Sequence, residues 1–246
     1  MTKIWAHRGA SGYAPENTME AFRLAETMGA DGIELDVHMT ADGELVVIHD
    51  ETVDRTANGT GHVADMTLAQ LKALDVSMGK ANYEGARIPT LREVYAWIRG
   101  TTLSLNVEIK CDIVLYEGIW DKLYALEREM GMEGRILYSS FNHHVLLEMR
   151  RLDPDCRIGL LYECSLVEPW RYAAQLHANA LHPHFFALRA PGMIEGCKQA
   201  GIALNTWTVN REEDLAALIA ADVDAVITNY PDVAVKLRGK NDFVHP

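Results

Sequence analysis

Acidic, basic and imidazole side chains fall where strand-like apolar runs of this sequence end. They are His7 and Arg8, Glu34 and Asp36, His49, and Glu108 and Lys110. Glu34 and Asp36 stand two residues apart, so both side chains leave one face of a strand. Three carboxylates packed together repel one another unless a proton or a cation separates them. Because all donors are oxygens, Glu34, Asp36 and Glu108 predict a site for one hard divalent cation, Mg²⁺ or Ca²⁺, rather than zinc.

Two histidines flank the predicted acidic cluster. Histidine transfers protons near neutral pH, and a pair with one protonated ring supplies both an acid and a base. His7 and His49 are therefore the candidate catalytic residues. We expect the other histidines to be hydrogen-bonded structural residues; examples are His62, His143, His177 and His245. His182 ends a predicted strand and stays a possible pocket residue.

Arg8 and Lys110 add positive charge to the same cluster. A guanidinium binds a phosphate as a planar fork, whereas an ammonium binds it as a point charge. A cation, two basic side chains and two imidazoles together indicate metal-assisted cleavage of a phosphodiester.

Strand-like runs alternate with helical patterns along the whole chain. The eight predicted strands are 3–7, 32–37, 104–109, 136–140, 157–162, 179–182, 202–208 and 224–228. The predicted helices between them are 18–28, 90–99, 114–131, 143–152, 168–176, 191–200 and 211–221. This alternation predicts an α/β protein with a closed (β/α)₈ barrel, formed by a single domain over 1–246. In such a barrel the active site lies at the carboxyl ends of the strands.

One apolar run, 45–49, does not fit the alternation. The Asp42-Gly43 pair before it is a strong hairpin turn signal, so this run is predicted to pair antiparallel with the second strand and to place His49 beside Glu34. The stretch 51–87 then forms a small insertion above the carboxyl face of the barrel, with one helix over 67–74. The tail "GKNDFVHP", residues 239–246, is predicted to be loose.

The composition disfavours some classes of partner. The net charge of -12 disfavours nucleic acid and anionic membranes, which need a basic protein face, but leaves room for a small anionic substrate. The four cysteines are dispersed, which predicts reduced thiols. We find neither a secretion signal nor an apolar run of about 20 residues that could span a membrane, and therefore expect a cytoplasmic protein. Monomer and homodimer both remain open.

Several motifs appear in a specific order: "AHRGASGYAPENT" over 6–18, "GIELDVHMTADGELVVIHDETVDRTANGTG" over 32–61, "NVEIK" over 106–110, "SSF" over 139–141, "NTWTVN" over 205–210 and "ITNYPD" over 227–232. On these motifs the sequence resembles the glycerophosphodiester phosphodiesterase family along nearly its whole length. The resemblance implies the phosphatidylinositol-phospholipase-like variant of the TIM barrel.

By position, the resemblance assigns roles to particular residues. It implies metal ligands at Glu34, Asp36 and Glu108, acid and base histidines at His7 and His49, phosphate-contacting residues at Arg8 and Lys110, and pocket-lining residues at Phe141 and Trp207. Asn17 would tie down the first loop.

The resemblance also implies a reaction, hydrolysis of glycerophosphodiesters such as glycerophosphocholine and glycerophosphoethanolamine to an alcohol and sn-glycerol 3-phosphate. A cyclic phosphate intermediate is expected, although direct attack by water is compatible, and the acid and base roles of the histidines stay open. The short insertion favours small, deacylated substrates.

Two alternatives remain at this point. A related barrel phospholipase acting on lysophospholipids or sphingomyelin would use the same chemistry and predicts an exposed apolar loop at the rim; the insertion has only a modest amphipathic helix. A non-catalytic metal- or phosphate-binding protein would require the loss of a site residue, and none is missing.

Overall fold

Eight parallel strands close into a barrel in the computed structural model, which describes residues 1–241. The first strand pairs with both the second and the last, and this closure confirms the predicted (β/α)₈ fold. The strands, including one hairpin arm outside the barrel, are β1 Lys3–His7, β2 Gly32–Met39, β3 Leu45–Val47, β4 Ser104–Ile109, β5 Ile136–Ser140, β6 Ile158–Tyr162, β7 Ala180–Pro183, β8 Ala203–Thr206 and β9 Ala225–Thr228.

Helices follow the barrel strands and cover the outside. They are α1 Met19–Thr27, α2 Leu68–Ala73, α3 Leu91–Ile98, α4 Ile119–Met130, α5 His143–Leu152, α6 Pro169–Gln175, α7 Met193–Ala200, α8 Glu212–Ala220 and α9 Pro231–Asn241, with short 3-10 helices at Val63–Asp65 and Phe185–Arg189. Thr18 and Thr90 cap α1 and α3 by accepting hydrogen bonds from the first-turn backbone. Helix α4 begins five residues later than predicted, after Gly118 in the left-handed region.

The last helix, α9, is absent from the sequence-based prediction. Pro231 begins it, in the position where proline suits a helix, and Asp232 lies in its first turn. Since α9 runs to Asn241, the prediction of a loose tail is wrong for 239–241. The rest of that predicted tail, 242–246, and with it His245, lies outside the described residues.

Alternation along the strands separates the apolar exterior of the barrel from its polar interior. In β2, Ile33, Leu35 and Val37 belong to the large apolar cluster between strands and helices. Glu34 and Asp36 therefore project to the opposite face, into the barrel. This alternation carries both carboxylates to the inside, where a strand can position them rigidly.

His182 lies inside this barrel rather than at its mouth. It is fully buried, its Nε2 accepts a hydrogen bond from Asn205 Nδ2 at 3.0 Å, and its ring lies 6.2 Å from that of Trp5. Burial lowers the pKa of His182 to about 3, so the ring is neutral. The suggestion that His182 is a pocket residue is therefore wrong.

The predicted hairpin is present, with a register shifted by one residue. Val37 pairs with Val47 and His38 with Val46, whereas pairing of His49 with Glu34 was expected. The loop is longer than a two-residue turn, because the Thr40 amide donates to the Glu44 carbonyl at 2.9 Å.

The insertion after β3 has an apolar cluster of its own, made of Val46, Ile48, Val53, Val63, Leu71, Val76, Ala86 and Ile88. It also contacts the loop between β1 and α1, where Lys80 Nζ donates to the carbonyls of Ser11 and Ala14 at 3.1 and 2.8 Å. These contacts place the insertion at the carboxyl face of the barrel, as predicted.

The cysteines form no disulfide in the described part of the chain: Cys111, Cys156 and Cys197 are buried thiols, and Cys164 is exposed. Over residues 1–241, each helix is too short or too polar to cross a membrane.

The turn after β1 depends on Gly9, which generates a stability prediction. Its φ is +79°, and an added Cβ would lie 2.7 Å from the carbonyl carbon and the Cβ of Ala21. Gly131 has a similar φ of +63° but open space around it. We expect Gly131→Ala to lower the free energy of unfolding by about 1 kcal/mol, from backbone strain alone. Gly9→Ala should lower it by more than about 2 kcal/mol, because the clash adds to that strain. Urea unfolding measures both, and equal losses would contradict the steric argument.

Candidate active site

A cavity of about 120 Å³ opens at the carboxyl ends of the barrel strands. Seven of the predicted site residues line it, namely His7, Arg8, Glu34, His49, Glu108, Phe141 and Trp207. The other two lie beside it: Asp36 contacts Arg8, and Lys110 contacts Glu108. The structure therefore brings all nine predicted site residues together. Asn106 and Glu163 also line the cavity; the sequence places Glu163 at a strand end but predicts no role for either residue.

The three predicted carboxylates form one compact, buried cluster. Glu34, Asp36 and Glu108 each offer an oxygen within 4.8 Å of the other two. Register explains this, because Asp36 on β2 pairs with Glu108 on β4. Such a cluster concentrates negative charge in a place that water barely reaches.

Burial and mutual repulsion shift the pKa values within the cluster. Burial first, and then the charges of Asp36 and Glu108, raise the pKa of Glu34 well above its ordinary value. Burial and Asp36 raise the pKa of Glu108 to about 7. Burial also acts to raise the pKa of Asp36, but the positive charge of Arg8, with smaller contributions from His49 and Lys110, lowers it to about 2. Without a cation, the cluster therefore holds protons that ordinary carboxyl groups would lose.

The cluster fits a hard divalent cation. Asp36 Oδ1 is buried and accepts no hydrogen bond from any residue in 1–241. An unpartnered carboxylate oxygen is costly unless a ligand satisfies it. Asn106, opposite Glu34 in the register, adds a second buried oxygen without a partner among the described residues. Carboxylate and amide oxygens are the donors that Mg²⁺ and Ca²⁺ prefer.

Arg8 lies against two of the carboxylates. Its backbone amide donates to Glu34 Oε2 at 3.0 Å, and its Nε lies 3.3 Å from Asp36 Oδ2. The Asn17 side chain donates from Nδ2 to Asp36 Oδ2 at 2.8 Å, and the Asn17 backbone N–H donates to the Arg8 carbonyl. Asn17 thus ties the first loop to β2, as the resemblance implied.

Lys110 holds the other side of the cluster. Its Nζ donates to Glu108 Oε1 at 2.8 Å and lies 3.4 Å from His49 Nε2. Burial acts to lower the pKa of Lys110, but Glu108 and Asp36 raise it above its ordinary value. Lys110 is therefore a fixed positive charge between the carboxylates and one histidine.

The two histidines lie in different environments. His7 donates from Nδ1 to Asn229 Oδ1 at 2.7 Å, which leaves Nε2 as the acceptor. Burial, followed by the charge of Arg8, lowers the pKa of His7 to about 4. His49 donates from Nδ1 to Asp50 Oδ1 at 2.6 Å. An imidazole that donates to a carboxylate is held in one orientation.

A chain of alternating charges runs from His49 to Arg8. Arg55 donates to both oxygens of Asp50, from Nε at 2.7 Å and from Nη2 at 2.9 Å. The same guanidinium donates twice to Glu16, at 2.8 Å each, and Glu16 accepts from Arg8 Nη1 at 2.9 Å. Glu16 and Arg55 were missed from the sequence. Glu16 lies in the "PENT" motif and Arg55 in "HDETVDR", so the motifs were visible but the pairing was not.

His38 supports the same region through the backbone of His49. It is fully buried, donates from Nε2 to the His49 carbonyl at 3.0 Å, and has its Nδ1 2.9 Å from the Tyr116 hydroxyl. His143 is also held by hydrogen bonds, to the Leu161 carbonyl and Tyr172. These two rings are structural, as expected of the histidines other than His7 and His49.

Aromatic side chains form the opposite wall of the cavity. The rings of Phe141 and Trp207 lie 5.6 Å apart at an angle of 88°. Trp207 Nε1 donates to the His182 carbonyl at 2.8 Å, which fixes the indole. An edge-to-face pair of this kind is a rigid apolar surface.

Comparison with known proteins decides the family. The model of the glycerophosphoryl diester phosphodiesterase family matches residues 7–233. The chain belongs to this family. A glycerophosphodiester phosphodiesterase from Caldanaerobacter subterraneus subsp. tengcongensis is 49% identical, over 97% of this chain and 98% of that protein.

Solved structures agree with this membership. A glycerophosphodiester phosphodiesterase from Agrobacterium tumefaciens superposes with a TM-score of 0.83 at 34% identity, over 96% of this chain and 100% of the other. A phosphodiesterase from Oleispira antarctica, solved with the product sn-glycerol-3-phosphate, gives a TM-score of 0.86 at 30% identity, over 96% of both chains. Members of the glycerophosphodiester phosphodiesterase family are phosphoric diester hydrolases, and this chain is such an enzyme.

The raised pKa of Glu108 predicts how stability depends on pH without metal. Its pKa is about 7 in the fold and 4.5 ordinarily, so the folded state binds more protons between these values. The free energy of unfolding should therefore fall as pH rises through this window, in the presence of a chelator. Glu108→Gln should flatten that fall, whereas Glu195→Gln, on the exposed surface of α7, should not. Chemical unfolding from pH 5 to 8 measures the slopes; identical slopes in all three proteins would contradict the assignment.

Proposed function

We propose that this enzyme hydrolyses small, deacylated glycerophosphodiesters, such as glycerophosphocholine and glycerophosphoethanolamine, to an alcohol and sn-glycerol 3-phosphate, with one divalent cation. The observation that supports this most is the convergence of three buried carboxylates and two differently held histidines, His7 and His49, on one cavity. We propose that the whole chain acts as one catalytic unit.

Glu34, Asp36 and Glu108 are the proposed metal ligands. The fit of the donors supports Mg²⁺ or Ca²⁺, which differ in coordination number. The cation, when bound, would offset the charge that builds up on the phosphate oxygens.

Arg8 and Lys110 are the proposed phosphate-binding residues. Both are protonated side chains beside the cluster, and both already carry a negative partner. Arg8 can rotate a fork of N–H donors toward phosphate oxygens, and Lys110 adds a point charge. Their part is to hold the phosphodiester and to stabilise the charge that develops during reaction.

His7 and His49 are the proposed base and acid. His7 is neutral at pH 7 because its pKa is low, so it can take the proton of the glycerol 2-hydroxyl. The oxygen of that hydroxyl forms a bond to phosphorus, and the bond from phosphorus to the head-group oxygen breaks. His49, whose ring Asp50 holds in orientation, gives a proton to the leaving oxygen.

Water then opens the cyclic phosphate with the roles reversed. His49 takes a proton from water, the new oxygen bonds to phosphorus, and His7 returns its proton to the 2-oxygen as that bond breaks. Direct attack by water would give the same products without the cycle. A substrate without the 2-hydroxyl separates the two routes, since only direct attack would cleave it.

Hydrolysis of a substrate panel tests the proposed reaction. We expect glycerophosphocholine and glycerophosphoethanolamine to release alcohol and sn-glycerol 3-phosphate, chelation to abolish the activity, and Mg²⁺ or Ca²⁺ to restore it. A lysophospholipid and sphingomyelin belong in the panel because Ile113, Leu115, Val167 and Phe186 are exposed in the segments that follow β4, β6 and β7, outside the insertion. Faster release from either lipid would favour the related phospholipase activity, and cation binding without any release would favour a non-catalytic role.

Substitution of the histidines tests their roles. His7→Ala and His49→Ala should lower kcat about 10² to 10⁴-fold with smaller changes in KM, because each removes a proton-transfer group. His62→Ala, in the insertion and exposed, is the matched control. Steady-state kinetics and circular dichroism are the measurements. Folded His7 or His49 variants with near-normal turnover would refute the mechanism.

A cytoplasmic location, a place in glycerol and lipid metabolism, and a monomeric or homodimeric state stay predictions.

A further inference from the structure

The cavity has two walls of opposite chemical character. Its charged and imidazole residues, apart from Glu163, come from β1, β2, β4 and the hairpin. The other wall comes from β5, β6 and β8 and contributes Phe141, Leu161, Glu163, Trp207 and Thr208. Strand order places β6 four strands from β1 in either direction. Glu163, just after β6, therefore stands across the mouth from His7 and Arg8.

Glu163 differs from the other carboxylates of the mouth. Glu16 and Asp50 are each bound by Arg55, and Glu108 is bound by Lys110. Glu163 forms no ion pair or side-chain hydrogen bond with any residue in 1–241, and it lies in an exposed stretch. A free carboxylate repels an anionic substrate, so it disfavours any ligand that carries only negative charge.

The surface around Glu163 suits a cation. Phe141 and Trp207 present ring faces and edges at right angles, with Leu161 buried beside them. Aromatic faces attract ammonium groups through the ring quadrupole, most strongly where water is partly excluded. Two aromatic rings together with one carboxylate can contact the alkyl groups and the charge of a quaternary or primary ammonium at the same time.

We propose that Phe141, Trp207 and Glu163 form a head-group subsite that selects glycerophosphodiesters with a cationic alcohol, of the choline and ethanolamine class. This inference rests on the proposed function. In these substrates an ethylene unit separates the phosphate from the nitrogen, so one molecule carries negative charge toward Arg8 and positive charge toward Glu163. Each end of the substrate then meets its opposite charge, and Glu163 is the residue that determines specificity.

Kinetics with head groups of different charge test the subsite. We would measure kcat/KM for glycerophosphocholine, glycerophosphoethanolamine and the neutral glycerophosphoglycerol in the wild type, Glu163→Gln and Glu168→Gln. Glu168 lies in the same loop between β6 and α6 and pairs with Arg171 at 3.1 Å, so its substitution removes an equal charge outside the cavity lining. We expect Glu163→Gln to lower the ratio of kcat/KM for the cationic substrates to that for glycerophosphoglycerol about tenfold. Glu168→Gln should leave that ratio unchanged.

Inhibition by tetramethylammonium supplies a readout that does not involve cleavage of a cationic substrate. With glycerophosphoglycerol as substrate, tetramethylammonium should inhibit the wild type, and the inhibition constant should rise about tenfold in Glu163→Gln. Inhibition by tetramethylammonium measures recognition of the ammonium group separately from recognition of the phosphate and the glycerol.

These measurements can support the head-group subsite, contradict it, or contradict the proposed function itself. A selective loss for cationic substrates, with weaker tetramethylammonium inhibition, supports the subsite. An equal change for all three substrates, or no change, overturns it, since Glu163 would then contact the shared glycerol or nothing. If the wild type cleaves none of the three, the proposed function itself fails, which is a different result from an unaltered ratio.

Discussion

Repulsion among three buried carboxylates is the constraint around which the rest of the site is arranged. Glu34, Asp36 and Glu108 bring their oxygens within 4.8 Å of one another in a place that water barely reaches. Such a cluster is stable only when protons, basic side chains or a cation offset its charge. Arg8 and Lys110 bind it from two sides, and the raised pKa values of the two glutamates show that this offset is incomplete. The remaining imbalance of charge would favour a bound cation.

The barrel makes this arrangement possible because its parallel strands all end at one face. A side chain on an inward position of a strand meets the corresponding side chains of neighbouring strands, as Asp36 meets Glu108. The hydrogen-bonded strands hold these like charges rigidly in place. Loops outside the strands supply the side chains that orient the two histidines. Asn229 accepts a hydrogen bond from His7, and Asp50 accepts one from His49.

The sequence was sufficient for the barrel, the hairpin and the convergence of nine site residues, because each depends on strand periodicity and on strand ends meeting at one face. It was not sufficient for contacts set by loop conformation. Glu16 and Arg55 lie 39 residues apart on two loops, and nothing in their spacing indicates that they pair. The hairpin register was wrong by one residue because hydrogen bonds of Thr40, rather than the Asp-Gly pair alone, determine the length of its loop.

His182 shows a second limit of prediction from the sequence. It lies near the end of a strand, as a pocket residue would, but its ring is fully buried beside Trp5. Helix α9 escaped prediction because its apolar positions are few and no strand follows it within the described residues.

The separate apolar cluster of the insertion has a consequence for how such a protein can diversify. Because Val53, Val63 and Leu71 pack with one another rather than with the main core, their segment can grow, shrink or be exchanged with little disturbance to the barrel. Arg55 lies near the start of the insertion and binds Asp50, which accepts a hydrogen bond from His49. His49 can therefore keep its orientation while the rest of the insertion varies. Changes in the insertion can therefore alter access to the cavity without altering the catalytic residues.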